Sequence, residues 1–136
     1  MMHFTYAQKV LFRHCDPAGI VFYPRFFEMI NDTVEAFFAE TLNWPFEDLH
    51  KVHATPTAEF NVRFKAPARH GDRLVLGLTM TGLGRSSLAL NICAMKGETL
   101  VFDADQVLVC TGAEGKPIPW PEPVCSKIQT ILESTS

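Results

Sequence analysis

The chain has 136 residues, 47% of them hydrophobic and 20% charged, a length and balance suited to one domain over residues 1–136. A domain of this size buries enough surface to fold without metal or disulfide staples. Twelve lysines and arginines against 15 aspartates and glutamates leave a net charge of −3, which excludes bulk nucleic-acid binding but leaves room for a local basic cluster on a small anion.

Along the chain, Phe4, Tyr6, Val10 and Phe12 alternate, with Gln8 interrupting the apolar face, and predict a first strand. The run Arg13-His14-Cys15-Asp16-Pro17 ends it, since Asp-Pro signals a turn and Gly19 permits an unusual backbone angle. Pro24 then suits the first turn of a helix, where its missing N–H costs nothing. Phe26, Phe27, Ile30, Val34, Phe37 and Phe38 recur at helical spacing, with Glu28, Asn31, Asp32 and Glu35 opposite, so the helix runs from about Pro24 to Glu40. Its phenylalanine-rich stripe calls for a sheet to lie against.

A loop containing Trp44, Pro45 and Phe46 reaches Thr55-Pro56. Ala58, Phe60, Val62, Phe64 and Ala66 then alternate with Glu59, Asn61, Arg63 and Lys65, the cleanest strand pattern in the chain. Residues 67–72 turn. Leu74 to Met80 make the next strand, Gly82-Leu83-Gly84-Arg85 turns again, and Leu88, Leu90 and Ile92 follow. Past Lys96-Gly97-Glu98 comes a last strand over Leu100 to Thr111. Pro117, Pro119, Pro121 and Pro123 close the sheet, and a weak helix is expected from Val124 to Leu132. Short turns between alternating strands favour antiparallel pairing. The fold class is therefore α+β, one long helix with an antiparallel sheet. One helix cannot cover both faces of a wide sheet, so self-association is expected.

No stretch approaches the roughly 18 apolar residues of a membrane span, and the first nine residues lack the apolar core of an export signal. Cys15, Cys93, Cys110 and Cys125 are scattered without a CxxC pair, which favours free thiols and a cytoplasmic location.

Asp16 is the first candidate for chemistry. It precedes a helix start, where unpaired N–H groups and the helix dipole favour an anion or a carbonyl gaining negative charge. A carboxylate there suits a nucleophile or a general base, and an N–H beside it can polarise a carbonyl. An aspartate before proline is also an ordinary turn former. The second candidate is Gly84-Arg85-Ser86-Ser87, a hairpin turn carrying one guanidinium and two hydroxyls.

Residues 15–24, Cys15-Asp16-Pro17-Ala18-Gly19-Ile20-Val21-Phe22-Tyr23-Pro24, closely resemble the signature of the 4-hydroxybenzoyl-CoA thioesterase family of hotdog-fold proteins. The element order is similar over almost the whole chain. The resemblance implies a hotdog fold, an antiparallel sheet wrapped around one long central helix. It implies an acyl-CoA thioesterase in which Asp16 attacks the thioester carbonyl or activates water, while the Tyr23 backbone N–H bonds the carbonyl oxygen. Phe46 and Thr55 would lie by the acyl group, an aromatic one such as benzoyl or 4-hydroxybenzoyl or a short-to-medium aliphatic one. Arg85, Ser86 and Ser87 would hold coenzyme A phosphates, with Arg63, Lys65 or Arg69 as possible supplements. No metal or organic cofactor is implied, coenzyme A being part of the substrate. The resemblance also implies dimers with active sites at their interface, paired into homotetramers.

One departure narrows the branch: Pro24 stands where a related bacterial branch has histidine, which argues against a His-assisted route from that position. His14 is read as a solvated or hydrogen-bonded side chain. A Cys15–His14 nucleophile is disfavoured because strand neighbours face opposite ways. His50 and His53 lack further ligands for a metal, and Gly82 with Gly84 makes no dinucleotide fingerprint. Rival functions are a hotdog hydratase or dehydratase, which needs an acid/base pair, and a non-catalytic acyl-CoA binding protein. Acyl carrier protein could replace coenzyme A as the thiol carrier.

Overall fold

A computed structural model describes residues 2–134. Strands β1 (Phe4–Lys9), β2 (Thr57–Phe64), β3 (Arg73–Leu83), β4 (Ser87–Lys96) and β5 (Thr99–Val109) form one sheet in the order β1-β3-β4-β5-β2, with every neighbouring pair antiparallel. The helices are α1 (Pro24–Glu40), a one-turn α2 (Phe46–Leu49) and α3 (Glu122–Ser134). None is long and apolar enough to cross a membrane.

Alternation in each strand sends one set of side chains to the helix-bearing face. Leu74, Leu76, Leu78 and Met80 of β3 do so, as do Leu88, Leu90, Ile92 and Ala94 of β4, and all are buried. α1 lies across that face on its aromatic stripe. Phe26 meets Phe102 of β5 at 5.1 Å between ring centroids, Phe27 meets Phe60 of β2 at 5.2 Å, and Phe37 meets Phe4 of β1 at 5.8 Å. Burying each such side chain contributes about 1.5–3 kcal/mol, so this stripe fixes where the helix start sits over the sheet.

The helix expected from Val124 to Leu132 is present and extends two residues further at each end. α3 is a 13-residue helix that places Val124 and Ile128 in the same core, so the sheet face is shared between α1 and α3. The first strand is instead shorter than its alternation suggested. Its partner β3 begins at Arg73, opposite Lys9, and Val10 makes the last backbone bonds on that side, donating to the Asp72 carbonyl (2.8 Å) and accepting from the Gly71 N–H (2.9 Å). The chain leaves the sheet, makes a 3-10 turn over Phe12–His14 and leaves Phe12 79% exposed. β3 in turn runs past Met80 through Gly82 and Leu83 by a register shift, where a turn was expected.

The opposite sheet face is polar at its centre. Arg63 of β2 donates to Asp103 (2.8 Å) and Asp105 (2.9 Å) of β5, and the Asn91 amide of β4 bonds both carboxylates from the other side. The Arg63 hydrogen bonds, then that of Asn91, hold both carboxyls below their usual range.

Candidate active site

The segment between the 3-10 turn and α1 is a tight double-backed loop. Cys15 bridges Val21, the Asp16 N–H donates to the Ile20 carbonyl (2.9 Å) and the Phe22 N–H donates to the His14 carbonyl (3.0 Å). Val21 is tied to the Ala68 carbonyl at 2.8 Å, which anchors the loop to the body of the protein. At its tip Gly19 takes φ +81°, a backbone state that a Cβ disfavours. The Asp16 carboxylate is oriented from within the loop: Oδ1 accepts the Ala18 N–H at 2.9 Å, and Oδ2 takes no hydrogen bond among the described residues. Asp16 is half-buried, its carboxylate still free to act.

The loop delivers the chain into α1 with Tyr23 at the N-cap and Pro24 in the first turn. Pro24 has no N–H, while Arg25 and Phe26 donate to the Phe22 and Tyr23 carbonyls. Among the described residues the Tyr23 N–H has no acceptor. A carboxylate and an unpaired N–H at the positive end of a 17-residue helix therefore stand within one short loop.

His14 is 2% exposed, and its Nδ1 accepts the Leu11 N–H at 2.9 Å. Burial, with Arg13 adding to it, lowers its pKa, in keeping with a ring nitrogen that accepts the Leu11 N–H. This histidine braces the loop. The Cys15 thiol points to the Leu11 carbonyl (3.6 Å), away from any partnership with the imidazole.

Phe46 and Thr55 come together on a separate cavity of about 290 Å³, near the lower end of the range of ~300–1,000 Å³ for small-molecule sites. Phe46 opens α2 and packs against Phe38 of α1, the rings tilted at 58° with centroids 5.5 Å apart. Thr55 is held beside the end of β5, because Ala54 and Thr111 exchange backbone bonds and the Val109 N–H donates to Pro56. Val34 and Leu108 add apolar wall; Asn31, His50, Thr57 and Gln106 add polar groups. Gln106 is a site residue missed in the sequence. Its signal is an amide at an inward position of β5, between Ala104 and Leu108, where the alternation calls for another apolar side chain.

Neither Asp16 nor Tyr23 lines this cavity. Asn31 lies seven residues beyond Pro24, about 10 Å along the helix axis, so one chain separates the loop from the Phe46–Thr55 cavity. Arg85 sits exposed between β3 and β4. Its carbonyl accepts the Trp120 N–H (3.2 Å), and the carbonyls of Ser86 and Ser87 accept Cys110 N–H (2.7 Å) and Trp120 Nε1 (3.1 Å). The turn is thus held by its backbone, and its side chains are left for other partners. Of the three supplementary cations, Arg63 is committed to Asp103 and Asp105 on the far sheet face and is not available to a phosphate at Arg85. Lys65 borders the shallow groove beside Tyr23 and Phe64, and Arg69 bonds Asp72 through its backbone. Among the described residues no three His, Cys, Asp or Glu side chains group to hold a metal ion, His50 and His53 included.

The family model described as the thioesterase-like superfamily matches residues 10–128, a span that includes the Asp16 loop, α1, the whole cavity and the Arg85 turn. The chain belongs to this superfamily of hotdog-fold acyl-CoA thioesterases. Within the superfamily it is 29% identical over 125 residues to the 1,4-dihydroxy-2-naphthoyl-CoA hydrolase of Synechocystis sp., covering 88% of this chain and 90% of that one. A crystal structure of a 1,4-dihydroxy-2-naphthoyl-CoA thioesterase from Synechocystis matches with a TM-score of 0.84 at 27% identity, over 93% of this chain and 95% of that one. A gentisyl-coenzyme A thioesterase matches at 0.82 and 26% identity, over 89% and 98% of the two chains. A Staphylococcus aureus protein solved with CoA shares the fold at a TM-score of 0.89 and 16% identity, over 96% of this chain and 84% of that one.

Proposed function

We propose that this superfamily member, acting as a single hotdog domain, hydrolyses an aromatic acyl-CoA to the free acid and coenzyme A with Asp16 and the Tyr23 N–H as its chemical centre. The observation that carries the reading is the pairing of a half-free carboxylate with an unpaired N–H at one helix start. As Asp16, or water deprotonated by it, adds to the thioester carbonyl, negative charge grows on the carbonyl oxygen. The Tyr23 N–H, at the positive end of the helix dipole, would take up that charge, and such a donor is worth on the order of 10²–10³ in turnover. Collapse of the adduct expels the CoA thiolate. By the covalent route the acyl group remains on Asp16 as a mixed anhydride that water then opens.

The acyl group would enter the Phe46–Thr55 cavity, and Arg85 with Ser86 and Ser87 would take the nucleotide end by charge-assisted bonds to phosphate. Because that cavity lies away from Asp16 in one chain, we assign the working site to two chains, the loop of one facing the cavity of its partner. The exposed aromatic patch of Phe22, Tyr23 and Phe64 beside the edge strand β2 supports such pairing, and pairs of dimers would complete a homotetramer. Hydroxylated aromatic acyl groups are favoured over aliphatic ones, because the relatives at 26–29% identity are named for dihydroxynaphthoyl- and gentisyl-CoA. The reaction as written needs no cofactor and runs equally on a thioester of acyl carrier protein. A hydratase reading is weaker, since the histidine nearest Asp16 in sequence is buried and its Nδ1 already bonded.

The test is hydrolysis of an acyl-CoA panel by wild type and Asp16→Asn, followed by thioester absorbance. Turnover of at least one aromatic acyl-CoA is expected, falling about 10²-fold or more in the variant. Full activity in the variant would remove Asp16 from the mechanism. Binding without hydrolysis by both proteins would instead favour the binding-module reading.

A further inference from the structure

Gln106 stands in the cavity wall 7% exposed, the one amide among the inward side chains Phe102, Ala104 and Leu108 of β5. Its Nε2 donates to the Thr57 hydroxyl at 2.9 Å, whereas Oε1 is buried and has no partner. A buried acceptor without a donor gives up its water bonds and receives nothing in return, so native chains rarely keep one in an apolar wall. An apolar side chain here would cost less, and the neighbouring inward positions have one. The amide is therefore explained by something the cavity receives.

We propose that Gln106 reads a ring hydroxyl on the acyl group, which makes it a specificity-determining residue for hydroxylated aromatic acyl thioesters. The inference rests on the thioesterase reading above and on the acyl group entering this cavity. Oε1 is closed off from solvent in the empty cavity, so reading a ligand takes a rotation of the amide, and the Thr57 hydroxyl, which can accept or donate, can keep a bond to whichever amide atom stays behind. A phenolic hydroxyl, donor and acceptor in one, satisfies either orientation. A bare ring or an alkyl chain satisfies neither, and binding it leaves the amide unpaired in a drier cavity. Thr55, Phe46 and Val34 supply the contacts such a ring makes regardless of its substituents.

The experiment measures kcat/KM for benzoyl-CoA and 2-naphthoyl-CoA against their hydroxylated counterparts (3-hydroxybenzoyl-, 4-hydroxybenzoyl-, 2,5-dihydroxybenzoyl- and 1,4-dihydroxy-2-naphthoyl-CoA), using wild type and Gln106→Met. Each ratio is taken within one protein sample, so the folded fraction cancels. Wild type should prefer at least one hydroxylated ring by about 10-fold or more, and the variant should bring that ratio within about threefold. The methionine, similar in volume and without a polar atom to satisfy, should keep or raise the urea midpoint; a purely structural amide would instead lower it and leave the ratio alone. An unchanged ratio in the variant, or no wild-type preference, overturns the role of Gln106 and leaves the thioesterase standing. Turnover of aliphatic but no aromatic thioesters does the same. Absence of all turnover overturns both. Should Gln106→Met not fold, Gln106→Leu and the wild-type preference carry the same test.

Discussion

A Cβ added at Gly19 would meet nothing within 4 Å, so alanine there strains the backbone without crowding a neighbour. The same holds at Gly97, in the hairpin between β4 and β5, where φ is +58°. Each alanine should therefore cost about 1 kcal/mol of stability, because a side chain disfavours the left-handed region. Their effects on catalysis should part. Gly19 shapes the loop that orients Asp16, so Gly19→Ala should lower kcat about tenfold or more, since small misplacements of a reacting group are costly. Gly97→Ala should leave kcat unchanged. Urea midpoints and steady-state kinetics on the two variants check both halves, and equal kinetic losses would mean that the Asp16 loop holds no special geometry. The turn at Asp16 and Gly19 and the helix start after Tyr23 are legible in the sequence because their signals are local, whereas Tyr23 is legible as a site candidate only through the family resemblance. Gln106 could not be found by periodicity alone. A strand pattern tolerates one polar interruption, and only the cavity beneath it shows that this one is buried and half-bonded.

At the scale of elements, α1 matches its sequence reading at both ends, Pro24 and Glu40, because its signals lie inside the helix: a proline in the first turn and an aromatic stripe. The end of β1 was illegible for the converse reason. Whether a strand continues depends on its partner, and β3 lies more than sixty residues away. The pairing of edge strand β2 with β5 has a side-chain clasp as well as its ladder, in Arg63 with Asp103 and Asp105. Both carboxyls are held below their ordinary pKa, chiefly by Arg63. Their contribution to stability is thus fully present above the unfolded carboxylate value of about 3.9 and is lost as pH falls through the folded values. Arg63→Gln should lower the urea midpoint at pH 7, modestly because the clasp is partly exposed and screened by salt. The gap from wild type should begin to narrow at about pH 4 and go on narrowing as pH falls through the folded values of the two carboxyls. A gap that stayed constant across that range would show that Arg63 acts through packing alone.

At the scale of the whole molecule, the proposed mechanism requires Asp16 to act on a group held in a cavity that it does not line. Phe22 and Phe64 are each 47% exposed and Tyr23 59%, a grouped aromatic surface next to a free strand edge, which is the kind of patch that a partner covers. A twofold dimer on this face would let each chain lend its loop to the other's cavity. Such an arrangement has a consequence that a one-chain site cannot imitate. Asp16→Asn removes the chemistry and leaves the cavity intact. Thr55→Trp fills the cavity and leaves the loop intact. Each homodimer should be nearly inactive. When the two are mixed, unfolded and refolded together, half of the dimers should be mixed ones, each with one wholly native site and one doubly defective site. Activity should then recover to about a quarter of wild type for random pairing. Sedimentation should show a dimer or tetramer throughout, so that recovery reports exchange of chains and not a change of assembly. If activity stays at the level of the separate variants while mixed dimers are present by mass, each chain carries its own complete site, and Asp16 must approach the cavity by a movement of its loop.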